Sequence, residues 1–113
     1  MDRLRDRFTP DRYADDEPVK VGALGDEHHV PERLFTRTQQ IAAAYELHLL
    51  PVLDIYTRTE LTREQCHTLA DELTFIRDLI ADPLLDQHLG ALLALADACR
   101  HSPEPAMLTV EGP

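Results

Sequence analysis

Apolar positions along the chain fall into three runs at helical spacing. The first begins at Pro31, which suits the opening position of a helix because its missing N–H would have no intrahelical partner. Leu34, Ile41, Tyr45, Val52 and Ile55 follow, with Leu49 and Leu53 widening the stripe. Pro51 interrupts this run. A proline inside a helix removes a hydrogen bond and clashes with the carbonyl four residues back, here that of Leu47. The pattern predicts one kinked helix ending near Tyr56.

The second run has the clearest start signal. Thr62 is a good N-cap, Gln65 three residues on completes a capping box, and Leu61 and Cys66 occupy the positions of a hydrophobic staple. Cys66, Leu69, Ala70, Leu73, Ile76 and Ile80 then recur at helical spacing, and the helix stops near Asp82. Asp82-Pro83 reads as N-cap and first residue of a third helix. Its apolar arc comprises Leu84, Leu85, His88, Leu89, Leu92, Leu93, Leu95, Ala96 and Cys99, and Pro103 and Pro105 end it. An arc that wide faces more than one neighbour. The tight connection predicts an antiparallel αα-hairpin, in which residues equidistant from the turn lie side by side. Cys66 then faces Cys99, and Arg77 faces His88, all four pointing inward.

Two segments alternate with period two instead. Val19 to Leu24 ends in Gly25-Asp26, a turn signal, and its natural mate is Met107 to Glu111. Two isolated strands are marginal alone and must pack on helices. The expected fold is mainly α: a small helical domain with a kinked first helix and an antiparallel αα-hairpin, with room for a short two-stranded β element near the termini. Residues 1–18, MDRLRDRFTPDRYADDEP, offer only Leu4, Phe8 and Tyr13 as anchors and read as a mobile charged arm. Residues 19–113 read as one helical domain, the expected count for a chain of 113 residues.

Composition narrows the function classes. With 21 acidic against 11 basic residues the formal net charge is -10. A field of that sign repels nucleic-acid backbones and anionic membranes and speeds encounter with a basic partner. It also serves solubility, which needs no partner. The chain opens Met-Asp-Arg-Leu-Arg-Asp without an apolar signal region, and the apolar stretch Ile41 to Leu53, interrupted by Glu46 and His48, is too short to span a bilayer. The expectation is a cytoplasmic protein with reduced thiols.

No residue cluster carries a catalytic signature. Cys66 and Cys99 read as small buried hydrophobes, since direct facing across a helix pair usually exceeds disulfide reach. Cys66, His67, Cys99 and His101 match zinc ligands in type but not in spacing. Asp26-Glu27-His28-His29 reads as a solvated acidic loop whose imidazoles titrate near neutrality. Asp82 and Asp86 flank a helix start, where carboxylates cap free N–H groups. The chain has four glycines and no Gly-rich phosphate loop, nucleophile elbow or zinc-protease motif. No catalytic, cofactor-binding or metal-ligating residue is expected.

The side of the second helix opposite its apolar arc carries Glu64, Asp71, Glu72, Phe75, Asp78, Leu79 and Asp82. An aromatic anchor ringed by charge is the pattern of an interface hot spot. These residues are the expected partner-binding face of a small acidic protein-binding module that neutralises or regulates a basic protein, as immunity proteins and antitoxins do. The main alternative is an accessory or structural helical subunit of a larger assembly, which should form a symmetric oligomer such as a homodimer. A metal-dependent enzyme is the remaining class, and the missing motifs argue against it.

The hairpin core makes the first prediction. Leu73→Ala and Leu92→Ala should each cost about 2–5 kcal/mol in chemical denaturation, as other buried leucines do. A loss below about 1 kcal/mol at both sites would refute that core.

Overall fold

The computed structural model describes residues 18–103 and 106–112. Apart from Pro18, which opens the first strand, the segment read as a charged arm lies outside the described residues. The elements are β1 (Pro18–Ala23), β2 (Asp26–Pro31), α1 (Glu32–Ala44), a single 3-10 turn (Leu50–Val52), β3 (Arg58–Leu61), α2 (Arg63–Leu79), α3 (Pro83–Arg100) and β4 (Leu108–Glu111). The strands form one antiparallel sheet in the order β2-β1-β4-β3. This overturns the expectation of a mainly α domain: the fold is an α/β mix in which three helices share their core with a four-stranded sheet. No described helix is long and apolar enough to cross a membrane.

β1 and β4 pair as their alternation predicts, with Val21 opposite Val110. Val19, Val21, Ala23, Leu108 and Val110 are buried on the helix side of the sheet. The outer side carries Lys20 beside Glu111, and Glu111 beside Arg58, so opposite charges are neighbours across it.

The two strands that sequence reading missed each bury one large apolar residue, Val30 in β2 and Leu61 in β3. The Asp26-Glu27-His28-His29 part of β2 reads in sequence as a solvated acidic loop. It is a strand because a two-residue turn folds it back on β1, with Ala23 opposite Asp26. Leu24 and Gly25 both have positive φ, 53° and 85°, which is the backbone of a hairpin turn whose twist matches that of the strands. Leucine is a poor residue for that position, so the turn signal in the sequence lies at Gly25-Asp26 and not at Leu24.

α2 and α3 form the predicted hairpin. The Thr62–Gln65 capping box is present in both directions. Asp82 caps α3 by accepting from the N–H groups of Leu84 (3.0 Å) and Leu85 (3.3 Å). Cys66 and Cys99 are free thiols, both buried and close enough to perturb each other. Cys99 Sγ donates to the Ala106 carbonyl (3.4 Å), and the Leu108 N–H meets the Cys66 sulfur, so the two thiols hold the start of β4 against the hairpin. Burial, then the Cys99 contact, pushes the Cys66 thiol up to about 12, which keeps it protonated and unreactive.

The kinked first helix does not form. α1 stops at Ala44, and Glu46 takes the left-handed conformation at φ 59°. The Leu47 N–H donates to the Ala42 carbonyl (2.9 Å) and the Glu46 N–H to the Ala43 carbonyl (3.0 Å), which is a Schellman stop built on glutamate instead of glycine. Beyond it, the N–H groups of His48 (2.9 Å), Leu49 (2.8 Å) and Leu50 (2.8 Å) donate to the carboxylate of Glu72. From α1, the Gln39 amide donates to the carbonyls of Leu50 (2.9 Å) and Leu53 (2.7 Å). Pro51 therefore lies in a clamped 3-10 turn. Past that turn, Gly112 after β4 packs so closely on the Ile55 carbonyl that a Cβ there would overlap it.

Glu72 is 6 % exposed, so its removal would leave buried N–H groups without partners. Glu72→Ala should cost about 3 kcal/mol or more in urea denaturation, with Glu72→Gln recovering only part of the loss. A change below about 1 kcal/mol would show that the clamp does not carry the turn.

Candidate functional site

The outer side of α2 is built as its sequence implies in most respects. Cys66, Leu69, Leu73 and Ile76 face the core, which leaves Glu64, Asp71, Phe75, Asp78 and Leu79 exposed. Phe75 is 42 % and Leu79 39 % exposed, one turn apart. Two residues of the expected face have other duties. Glu72 is buried in the clamp described above. Asp82 caps α3 and also pairs with Arg37 of α1 (3.2 Å).

The structure adds Tyr45, which sequence reading placed on the apolar stripe of a longer helix. Because α1 stops one residue earlier, Tyr45 becomes its C-cap and turns outward, 51 % exposed. Its ring meets Phe75 edge-on, with centroids 5.5 Å apart and planes at 67°. Tyr45, Phe75 and Leu79 form an exposed apolar patch, with Asp71 and Asp78 on the same helix as Phe75. Aromatic faces attract guanidinium and ammonium groups, and neighbouring carboxylates reinforce that preference. Nothing local to Tyr45 signals this exposed position, since it depends on where α1 stops.

The residues read as facing pairs across the hairpin are arranged differently near its turn. Arg77 bonds to Asp86 and not to His88. Its guanidinium runs along the surface to Asp86, with bonds of 2.9 and 3.3 Å. That bond, more than the charge alone, holds the Asp86 carboxyl below the usual range.

His88 instead meets His28. β2 alternates its side chains, so His28 faces α3 while Glu27 and His29 point to the solvent side, where His29 Nε2 lies 3.3 Å from Glu27 Oε1. His28 Nε2 and His88 Nδ1 are 2.9 Å apart, one ring donating to the other. Both residues are half-buried. Burial, followed by the charge of His29, lowers the pKa of His28; burial, followed by the charge of His28, lowers that of His88. His67 and His101, which flank the thiols in sequence, are exposed. Among the described residues no group of three or more His, Cys, Asp or Glu side chains could hold a metal ion.

No family model matches the chain, and no curated protein or solved structure matches it.

The histidine pair sets a pH dependence. Both folded pKa values lie below the ordinary value of 6.5, so between them and 6.5 the unfolded chain binds more protons than the folded one. The associated stability is present above pH 6.5 and lost as pH falls through the window beneath it. Denaturant midpoints measured from pH 8 to pH 5 should be level and then fall. His28→Asn with His88→Asn should flatten the fall; an unchanged slope in that variant would assign it to other groups.

Proposed function

We propose that this protein is a small acidic protein-binding module of the cytoplasm that neutralises or regulates a basic protein, in the manner of an immunity protein or antitoxin. The observation that carries the reading is the exposed Tyr45–Phe75–Leu79 patch beside Asp71 and Asp78. Exposed aromatic side chains adjoining each other are characteristic of binding hot spots, because they bring large contact area at low entropic cost. The carboxylates around them favour a partner that presents an arginine or lysine next to an apolar notch. The net charge of -10 acts at longer range and accelerates encounter with such a partner.

A module of this kind stays monomeric until its partner arrives, whereas a structural subunit would self-associate through the same residues.

The test uses tagged protein expressed in its native host and recovered at low and high salt. Wild type should retain one basic protein at low salt and lose it at high salt. Phe75→Ala combined with Asp78→Lys should lower calorimetric affinity for that protein at least about 100-fold, the loss of one hot-spot residue plus a charge reversal, with the thermal midpoint little changed. Equal affinity in the two proteins would refute the reading. A concentration-dependent oligomer of wild type that Phe75→Ala dissolves would replace it with the subunit reading.

A further inference from the structure

His28 and His88 are brought together from positions 60 residues apart, on β2 and on α3. Their facing nitrogens are 2.9 Å apart and their ring centroids 5.0 Å. Two imidazoles bound side by side to one first-row divalent ion, each at about 2.0–2.1 Å, have nitrogens about 2.9–3.4 Å apart, depending on the angle between the bonds. The nitrogen separation stands at the short end of that range, but the hydrogen bond aims the two rings at each other, so both must turn about their side-chain torsions to direct their lone pairs at one ion. Both rings are half-buried, so packing orients them from one side while solvent reaches them from the other.

We propose that His28 Nε2 and His88 Nδ1 form a two-imidazole chelate for a borderline divalent transition-metal ion, Cu²⁺, Ni²⁺ or Zn²⁺, with water in the remaining positions. Imidazole nitrogen suits these ions, whereas Mg²⁺ and Ca²⁺ prefer all-oxygen sites. In the metal-free pair one of the two facing nitrogens carries a hydrogen. On binding, that hydrogen moves through water to the far nitrogen of its own ring, so both rings stay neutral and no net proton is released. Burial keeps the rings neutral at physiological pH, which is the ligating form. The negative field of the chain, including Asp26 and Glu27 on the same strand as His28, concentrates cations near the site.

The consequence is mechanical. β2 is an edge strand, paired with β1 alone. An ion on His28 and His88 ties that edge to α3 and closes a long loop of chain. Because the unfolded chain does not hold the two rings together, the ion stabilises the folded state by an amount that grows with the logarithm of its concentration above the Kd. This does not depend on the partner-binding reading, because the histidine pair and the Tyr45–Phe75 patch share no residue.

The test is thermal unfolding of chelator-treated full-length protein with added Cu²⁺, Ni²⁺, Zn²⁺, Co²⁺ or Mg²⁺. Near saturation the midpoint should rise by about 5 °C or more with Cu²⁺, less with Ni²⁺ and Zn²⁺, and not at all with Mg²⁺. His28→Gln and His88→Gln should each abolish the rise, and His29→Gln should retain it. Paramagnetic resonance of the Cu²⁺ form of the wild type should show two ring nitrogens on one copper, a readout independent of how the variants fold. No rise in wild type, an equal rise in His28→Gln and His88→Gln, or coupling to a single nitrogen would overturn the proposal.

Discussion

The rest of the structure depends on the buried carboxylate of Glu72. An ionised side chain taken out of water is costly unless its oxygens are matched by donors. Glu72 meets that condition with the consecutive N–H groups of His48, Leu49 and Leu50, while Gln39 supplies donors to the carbonyls of Leu50 and Leu53. One short stretch of backbone is thus held on both its donor and its acceptor sides. Its polar groups are satisfied without continuing the helix, so the chain can turn back towards the sheet. β3 then reaches β4, and the Ile55 carbonyl packs on Gly112.

The same clamp shapes the surface. Had α1 continued through Tyr45, that ring would have stayed on the apolar stripe of the helix. The stop at Ala44 releases it to the edge of Phe75, and the position of Glu72 removes one carboxylate from the face it adjoins. What remains is an apolar patch with acidic neighbours on a rigid hairpin. A surface of that kind would lose little entropy in binding the proposed partner, because α2 is fastened to α3 by its core leucines, by the Cys66–Cys99 contact and by the Arg77–Asp86 pair.

At the far edge of the molecule the chemistry is different. β2 buries a single large apolar residue, Val30, and part of its contact with α3 is the polar link between His28 and His88. A polar link between half-buried rings is sensitive to protonation and to metal ions in a way that a leucine contact is not. The Asp26-Glu27-His28-His29 segment, which looks like a solvated tetrad in sequence, is divided by strand alternation into an exposed Glu27–His29 pair and an inward His28. Neither half resembles the cluster that the linear order implies.

The sequence by itself determined the elements whose signals are local. Thr62 and Gln65 mark the start of α2 and Asp82-Pro83 that of α3, because a cap bonds to backbone two or three residues away. The short turn made Cys66 and Cys99 candidate neighbours, a contact the structure shows, whereas the same register set Arg77 against His88, which bond to Asp86 and His28 instead. The alternation at Val19–Ala23 and Leu108–Val110 marked β1 and β4 as strands with one buried face, and the sheet decided that they pair. Only the tertiary structure decided where α1 ends, because Glu46 lacks the glycine signature of a left-handed stop and Glu72, which captures the freed backbone, lies more than twenty residues on. It also decided that β2 and β3 are strands, since each buries a single large apolar residue and gains its ladder from a neighbour. The patch at Tyr45 and the meeting of His28 with His88 belong to the same class. A side chain's role is legible in sequence when its partner is a few residues away, and it is lost when the partner is supplied by packing.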